Sequence, residues 1–156
     1  MFELLPEAFR NWFAVGRLDK DSEGLLLFAN DSRLAQRLMD PGGAAKTYHV
    51  TVQGLPTEEA LDTVRRGGLM IGGKAVGPAE VRRLCKAPRG GTRLEVILHE
   101  GRNRQIRRSL AAVGFKVRRL VRVAIGQVPL GDLPAGAGRE LTPAEVAELV
   151  ARTAGR

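Results

Sequence analysis

Two glycine pairs, Gly72-Gly73 and Gly90-Gly91, each sit between strand-like runs: L-M-I from K-A-V, and L-C-K-A from T-R-L-E-V-I-L. A glycine pair supplies the positive φ angles that a two-residue hairpin turn requires, so each pair folds its flanks into antiparallel strands. In the last of these runs Leu94, Val96 and Leu98 share one face, and Arg93, Glu95 and Ile97 the other. The middle of the chain is therefore committed to antiparallel sheet.

Helical signals surround these hairpins. Asn30, Asp31 or Ser32 can cap a short helix with Leu34, Leu38 and Met39 inward, stopped by Pro41-Gly42-Gly43. Pro56 and Thr57 open a helix that buries Leu61 and Val64 and ends at Gly67-Gly68. Ile106, Leu110 and Val113 recur at i, i+4 and i+7 within a helix over 103–113, with Gly114 after it. Thr142-Pro143-Ala144-Glu145 is a capping box with Pro at N1, and it opens a C-terminal helix with Val146, Leu149 and Val150 inside. E-A-F-R-N-W-F near the start reads as one helical turn or two. Further strands are expected at Leu25–Phe28, at the alternating T-Y-H-V-T-V of 47–52, and within 116–128. Mixed helices and largely antiparallel strands specify an α+β fold.

The chain of 156 residues, 44% hydrophobic, suffices for one globular domain or two closely packed lobes. The single Cys85 has no internal disulfide partner, which points to a reducing compartment. Met1 to Arg10 holds no apolar signal region, and no apolar run approaches the ~20 residues of a membrane helix. A cytoplasmic protein without a membrane partner is expected.

The formal charge of +8 favours polyanionic partners. Its distribution sharpens the expectation: between Gly101 and Gly131 stand Arg102, Arg104, Arg107, Arg108, Lys116, Arg118, Arg119 and Arg122, with no acid among them. That block is a candidate for binding nucleic-acid phosphates. Seven aromatic residues are too few for an extended stacking platform, so base contacts must come from one or two positions.

Chemistry narrows by elimination. His49 and His99 have no Cys or His at ligand spacing, and no glycine-rich phosphate loop or nucleophile elbow is present. Asp19-Lys20-Asp21 could hold a divalent cation, although a three-letter pattern is common by chance. What remains is a carboxylate in a charged loop, the lone Tyr48 on a strand, and a basic helix. An aspartate held by a cation can act as nucleophile or base, and a tyrosine offers a flat face and a hydroxyl. Tyr48 can equally be an ordinary core residue. Arg104, Arg107 and Arg108 in five positions repel one another, a cost that RNA phosphate or a buried carboxylate relieves.

Three stretches together resemble one family. G-R-L-D-K-D-S-E-G-L-L-L (Gly16–Leu27), K-T-Y-H-V-T-V-Q-G (Lys46–Gly54) and E-G-R-N-R-Q-I-R-R (Glu100–Arg108) are similar to the motifs of RNA pseudouridine synthases. D-S-E-G with R-N-R-Q-I-R-R is most similar to the large-subunit type E group of the bacterial ribosomal branch. The likeness runs on through A-A-V-G-F-K-V-R-R-L-V-R and P-L-G-D-L-P-A-G-A-G-R-E-L, covering about Phe13 to Thr142.

The resemblance implies the pseudouridine synthase catalytic fold and isomerisation of a uridine in ribosomal RNA, without metal or cofactor. It implies Asp19 as the attacking aspartate, Tyr48 packed on the flipped-out uracil, and Arg107 paired with Asp19. Arg17 is implied beside the nucleophile, contacting RNA or bracing the loop, and Arg102, Arg104, Arg108, Arg118, Arg119 and Arg122 become phosphate contacts. Lys20, Asp21 and Glu23 receive no role beyond loop solvation. Family members usually carry an N-K-P-like strand, and often an S4-type module, ahead of the aspartate motif. Neither is visible before Val15, so the expectation is one N-terminally shortened catalytic domain over 1–156. It is expected to be a monomer that works on ribosomal RNA or an assembling subunit. Two rivals stay open: an impaired relative acting as an RNA-binding module, and a metal-dependent glycosyl transferase built on Asp19 and Asp21.

Overall fold

The computed structural model describes residues 7–9 and 11–154. The helical piece expected at E-A-F-R-N-W-F is a single 3-10 turn, Glu7–Phe9, followed by strand β1 (Phe13–Ala14). Arg10 within it lies outside the described residues. A loop then leads to β2 (Glu23–Gly24) and on to β3 (Phe28–Ala29), which pairs antiparallel with β1. Leu25–Phe28 is therefore not one continuous strand. The Leu25 N–H donates to the Arg122 carbonyl (2.8 Å), while the Leu27 carbonyl accepts from Val15 (2.8 Å), so the segment changes partner midway. Leu25 and Leu27 are nonetheless buried.

Helix α1 (Ser32–Met39) starts where Asp31 accepts from the Arg33 and Leu34 N–H groups (2.8 and 3.3 Å). After Pro41-Gly42-Gly43 comes β4 (Lys46–Gln53), then α2 (Glu58–Arg66), whose Thr57 cap accepts from Ala60 (3.2 Å). Strands β5 (Met70–Ile71) and β6 (Lys74–Ala75) form a hairpin about Gly72-Gly73. The next hairpin joins β7 (Glu80–Ala87) and β8 (Gly91–Leu98), but its turn lies one residue earlier than the glycine pair suggests. Ala87 faces Gly91, leaving Pro88, Arg89 and Gly90 as the loop. Arg89 and Gly90 take the positive φ angles (57° and 66°). Gly91 instead serves close approach, because a Cβ there would stand 2.8 Å from the Val52 carbonyl oxygen.

Helix α3 (Gln105–Ala112), β9 (Val117–Ile125), β10 (Val128–Pro129) and α4 (Pro143–Ala154) complete the order. The capping box of α4 closes both ways: Glu145 N–H donates to Thr142 Oγ1 (3.2 Å), and Thr142 N–H to the Glu145 carboxylate (2.8 Å). Of its three expected inward residues only Leu149 is buried. Val146 and Val150 are 40% exposed, so α4 lies on the fold by a narrow edge.

The main sheet runs β10-β9-β4-β8-β7, antiparallel throughout, with β2 added parallel to β9 at Glu23↔Val121 and Gly24↔Arg122. Cross-strand partners share a face. One face carries Lys46, Tyr48, Val50 and Val52 of β4, Leu94, Val96 and Leu98 of β8, and Leu120 and Arg122 of β9. Two apolar clusters sit on that face. In one, Leu61 and Val64 of α2 and Ile106 and Leu110 of α3 pack on Val50, Val52, Leu94, Val96 and Leu120. In the other, Ala35 and Leu38 of α1 and Leu149 of α4 meet Val15, Leu25, Leu27 and Ile125. Tyr48, Arg122 and Lys46 occupy the sheet between the two clusters. The opposite face is polar, with Glu95 of β8 bridging His49 (3.6 Å) and Arg82 (2.6 Å). Among the described residues no helix is long and apolar enough to cross a membrane.

Candidate active site

The loop from β1 to β2 is short of regular structure but not short of ties. Asp19 opens a turn in which its carbonyl accepts the Ser22 N–H (2.9 Å), placing Lys20 and Asp21 at the corners. Behind the turn, Gly24 (φ 111°) lies against β9 so closely that a Cβ would come within 2.3 Å of the Arg122 carbonyl oxygen. No other residue type fits there. Arg122 secures the same spot from its side chain, its Nε donating to the Leu25 carbonyl (2.7 Å). Since Arg122 also stands opposite Tyr48 on β4, the loop is moored one strand away from the tyrosine.

From the other side, the loop meets the start of α3. Arg104 precedes that helix in left-handed conformation (φ 52°, ψ 30°) and makes no side-chain cap. It is thus not on the helix face that the spacing of Arg104, Arg107 and Arg108 suggests. Its guanidinium grips Asp21 as a fork, Nη1 to Oδ1 at 2.7 Å and Nη2 to Oδ2 at 2.8 Å. Its Nη1 also lies 3.9 Å from Asp19 Oδ2. Asp19 is 24% exposed, half as open to solvent as Asp21 at 47%.

Arg107 does not meet Asp19, contrary to the pairing that the resemblance implies. Its Nε stands 3.3 Å from Asp21 Oδ2, and its Nη2 donates to the Asp21 carbonyl and reaches Ser22 Oγ (3.5 Å). The Nε contact is an ion pair by distance, but it is misaligned for a hydrogen bond and leaves that buried N–H without an acceptor. Arg107 therefore holds the turn by its backbone and by Asp21, while Arg104 is the cation nearest Asp19. The Arg104 hydrogen bonds outweigh an opposing cost of burial and, with the Arg107 charge behind them, hold the Asp21 carboxyl down to about 2.

Asp21 and Glu23, read from sequence as loop solvation only, are thus structural anchors. Glu23 receives Arg119 in a second fork (2.8 and 3.0 Å), which lowers its carboxyl below the usual range. Their partners stand 83 and 96 positions away, so no local pattern could have shown the pairing.

The remaining residues divide. Arg17 and Arg108 are exposed, the latter beside the β5–β6 turn. Arg102 is exposed yet bonded to Glu100 (3.0 Å), and Arg118 donates to the Arg89 carbonyl (3.0 Å). Arg122, expected as a surface phosphate contact, is only 2% exposed, because its position on β9 faces the core. Lys46 is likewise buried at 6% and reaches only the Leu38 carbonyl (3.4 Å). Burial, with the like charge of Arg122 behind it, holds the Lys46 ammonium below the ordinary lysine range. The alternation of 46, 48, 50 and 52 on β4 was the signal that Lys46 points inward. Tyr48 is half-buried against the cluster of α2 and α3.

One more anchor was missed. Glu100 accepts from the Gly77 N–H (2.7 Å), from Gln105 Nε2 (2.7 Å) and from Arg102, tying the arginine-rich turn to the β6–β7 connection. Gln105 is 4% exposed, so this bond is interior. Burial raises the Glu100 carboxyl, but the three donors outweigh it and leave a net lowering.

A family model of RNA pseudouridylate synthases matches residues 4–112. An uncharacterized RNA pseudouridine synthase of Aquifex aeolicus is 38% identical over 148 residues, 94% of this chain and 59% of its own. The ribosomal large subunit pseudouridine synthase E of Xanthomonas axonopodis pv. citri is 45% identical, covering 85% of this chain and 75% of the relative. Among solved structures, a crystal structure of a pseudouridylate synthase superposes with a TM-score of 0.83 at 30% identity, over 95% of this chain and 64% of the other. The chain thus spans little more than half the length of the Aquifex relative.

Proposed function

The chain belongs to the RNA pseudouridylate synthase family, and from that premise we propose that it isomerises a uridine of large-subunit ribosomal RNA, with Asp19 as the nucleophile. The N1–C1′ bond of the nucleotide breaks, the uracil turns, and a C5–C1′ bond forms while the C5 hydrogen leaves as a proton and N1 takes one up; the bond that Asp19 forms to the nucleotide is broken again before release. Atoms balance without an external co-reactant. A base inside a stem must first leave its stack, at a cost of a few kcal/mol. The observation that carries the reading is the position of Asp19. It is held in a turn that α3 grips through Arg104 and Arg107, and that β9 grips through Gly24 and Leu25, one strand from Tyr48.

In this reading Asp19 acts on the nucleotide from the turn, and Arg104 supplies the adjacent positive charge. Tyr48 gives the uracil a half-buried aromatic face beside β9. Arg107 acts as a positioning residue through Asp21 and Ser22. Arg17, Arg108 and Arg118 are exposed and have no carboxylate partner among the described residues, which leaves them available for phosphate, and contacts of that kind set register without reading sequence. The relatives named for the large ribosomal subunit supply the substrate class.

The test is tritium release from ribosomal RNA transcribed with 5-tritiated uridine. Asp19→Asn is expected to bind the RNA as wild type does and to release no tritium above background. Full release by that variant overturns the assignment. Mapping pseudouridines by carbodiimide-dependent reverse-transcription stops, in cells with and without the gene, identifies the target as the one site lost.

A further inference from the structure

The arginines expected to meet RNA are largely occupied from within. Asp21 fills the fork of Arg104 and lies against Arg107, Glu23 fills the fork of Arg119, and Glu100 takes Arg102. The Asp21–Arg104 pair differs from the other two in several respects. It borders Asp19 directly, through the 3.9 Å approach of Arg104 Nη1. Like Arg119 and Glu23 (61% and 55%), both partners are reachable from solvent, at 39% exposure for Arg104 and 47% for Asp21. Arg104 adopts a left-handed backbone that a side-chain-bearing residue takes at a cost, and no cap bond compensates it. A guanidinium fork accepts carboxylate and phosphate with the same planar, two-bond geometry.

Resting on the RNA-binding reading above, we propose that the Arg104 fork is a phosphodiester subsite beside the reaction centre, and that the Asp21 carboxylate occupies it until an RNA phosphate takes its place. The exchange is like for like at the guanidinium. An anion with two oxygens leaves and another arrives, so Arg104 need not be desolvated or recharged. Release of the Asp21 carboxylate frees Arg107 of its ion-pair partner, at the moment when substrate is present. The turn stays moored meanwhile, because Arg107 keeps its bond to the Asp21 carbonyl, and Leu25 keeps both of its bonds to Arg122 of β9.

The exchange leaves a thermodynamic mark. An arginine that neutralises an RNA phosphate releases a condensed counterion, while the Asp21–Arg104 pair that must open first is itself weakened by salt, which offsets part of that salt dependence. Arg104 therefore contributes less to the salt dependence of wild-type binding than an unpaired arginine would. In Asp21→Asn it contributes in full.

Binding of a short fluorescein-labelled RNA stem-loop is measured by anisotropy from ~50 to ~200 mM salt. Asp21→Asn is expected to bind about three-fold tighter at the low end, the scale of one exposed ion pair no longer broken. Its slope of log affinity against log salt should steepen, by at most about 0.7–0.9. Glu59→Gln, which changes the charge equally on α2, controls for net charge and should leave the slope unchanged. Adding Arg104→Met to Asp21→Asn should abolish the gain. In the wild type, independent of any variant, the Asp21 carboxyl 13C resonance should move toward that of a free carboxylate as the RNA is added. An unmoved resonance, or a slope in Asp21→Asn equal to wild type, overturns the exchange. If wild type shows no salt-dependent binding at all, it is the RNA-binding reading that fails.

Discussion

Lys46 and Arg122 put two positive charges on the same sheet face, both over nine-tenths buried. Among the described residues each has only a backbone carbonyl for company, and Arg122 Nη2 has no acceptor there. Removing charges from water without counter-charge is a stability liability, and replacement by an apolar residue of similar shape is often neutral or favourable. Lys46→Met is therefore expected to raise stability by roughly 1 kcal/mol, or about 3 °C in Tm for a chain of this size. The pH dependence has a definite sign. A lysine whose folded value lies below its unfolded one binds fewer protons when folded, so stability rises with pH between those two values. Below the depressed value the cost is present in full. Urea titrations at several alkaline pH values should show wild type gaining on Lys46→Met up to about pH 10.4. A variant that is less stable than wild type throughout would mean that the bond to the Leu38 carbonyl outweighs the buried charge.

At the scale of elements, the parallel β2–β9 join decides whether the Asp19 turn is where it must be. Gly24→Ala demands a Cβ where the Arg122 backbone already stands, at a φ of 111° that L residues rarely adopt. The cost is more than about 1 kcal/mol, and the loop must lift from β9 to relieve it. The expected result is a folded protein with tritium release reduced by at least about ten-fold, the rate equivalent of ~1.4 kcal/mol. Retention of wild-type rate would show that the mooring is dispensable. Elements set by neighbours in sequence were legible beforehand. The caps of α1, α2 and α4 and the alternating strand at 47–52 each rest on residues within a few positions of one another. The site was legible only in part. The motif likeness singled out Asp19, Tyr48 and the arginines, but not which carboxylate holds which guanidinium. That pairing depends on how a turn near residue 20 lands on a helix start near residue 104, and no periodicity carries such information. The burial of Arg122 could have been read from the inward register of Leu120 and Arg122 on β9, where the run of basic residues suggested a surface instead.

For the whole molecule the formal charge is +8, yet the structure spends its carboxylates where they quench arginines. Asp21 and Glu145 are both held down to about 2, by Arg104 and by Arg139 respectively, and Glu23 and Glu100 are lowered as well. The two deepest ties lie far apart in sequence, one joining the Asp19 turn to α3 and the other closing the start of α4. A carboxyl with a depressed folded value contributes its stability above the unfolded value, and loses it as pH falls through the folded one. The unfolded chain takes up these protons first, so stability must decline from roughly pH 5 down to pH 2. Over the same range the 17 Asp and Glu side chains lose their charge, 25 cations are left uncompensated, and repulsion adds to the decline. Because the two ties are independent, a variant carrying Asp21→Asn and Glu145→Gln should start less stable at pH 7 and lose less on acidification. The urea midpoints of variant and wild type are expected to converge toward pH 2. Parallel decline of the two curves would place the acid sensitivity in general charge repulsion and remove these two ion pairs from the account.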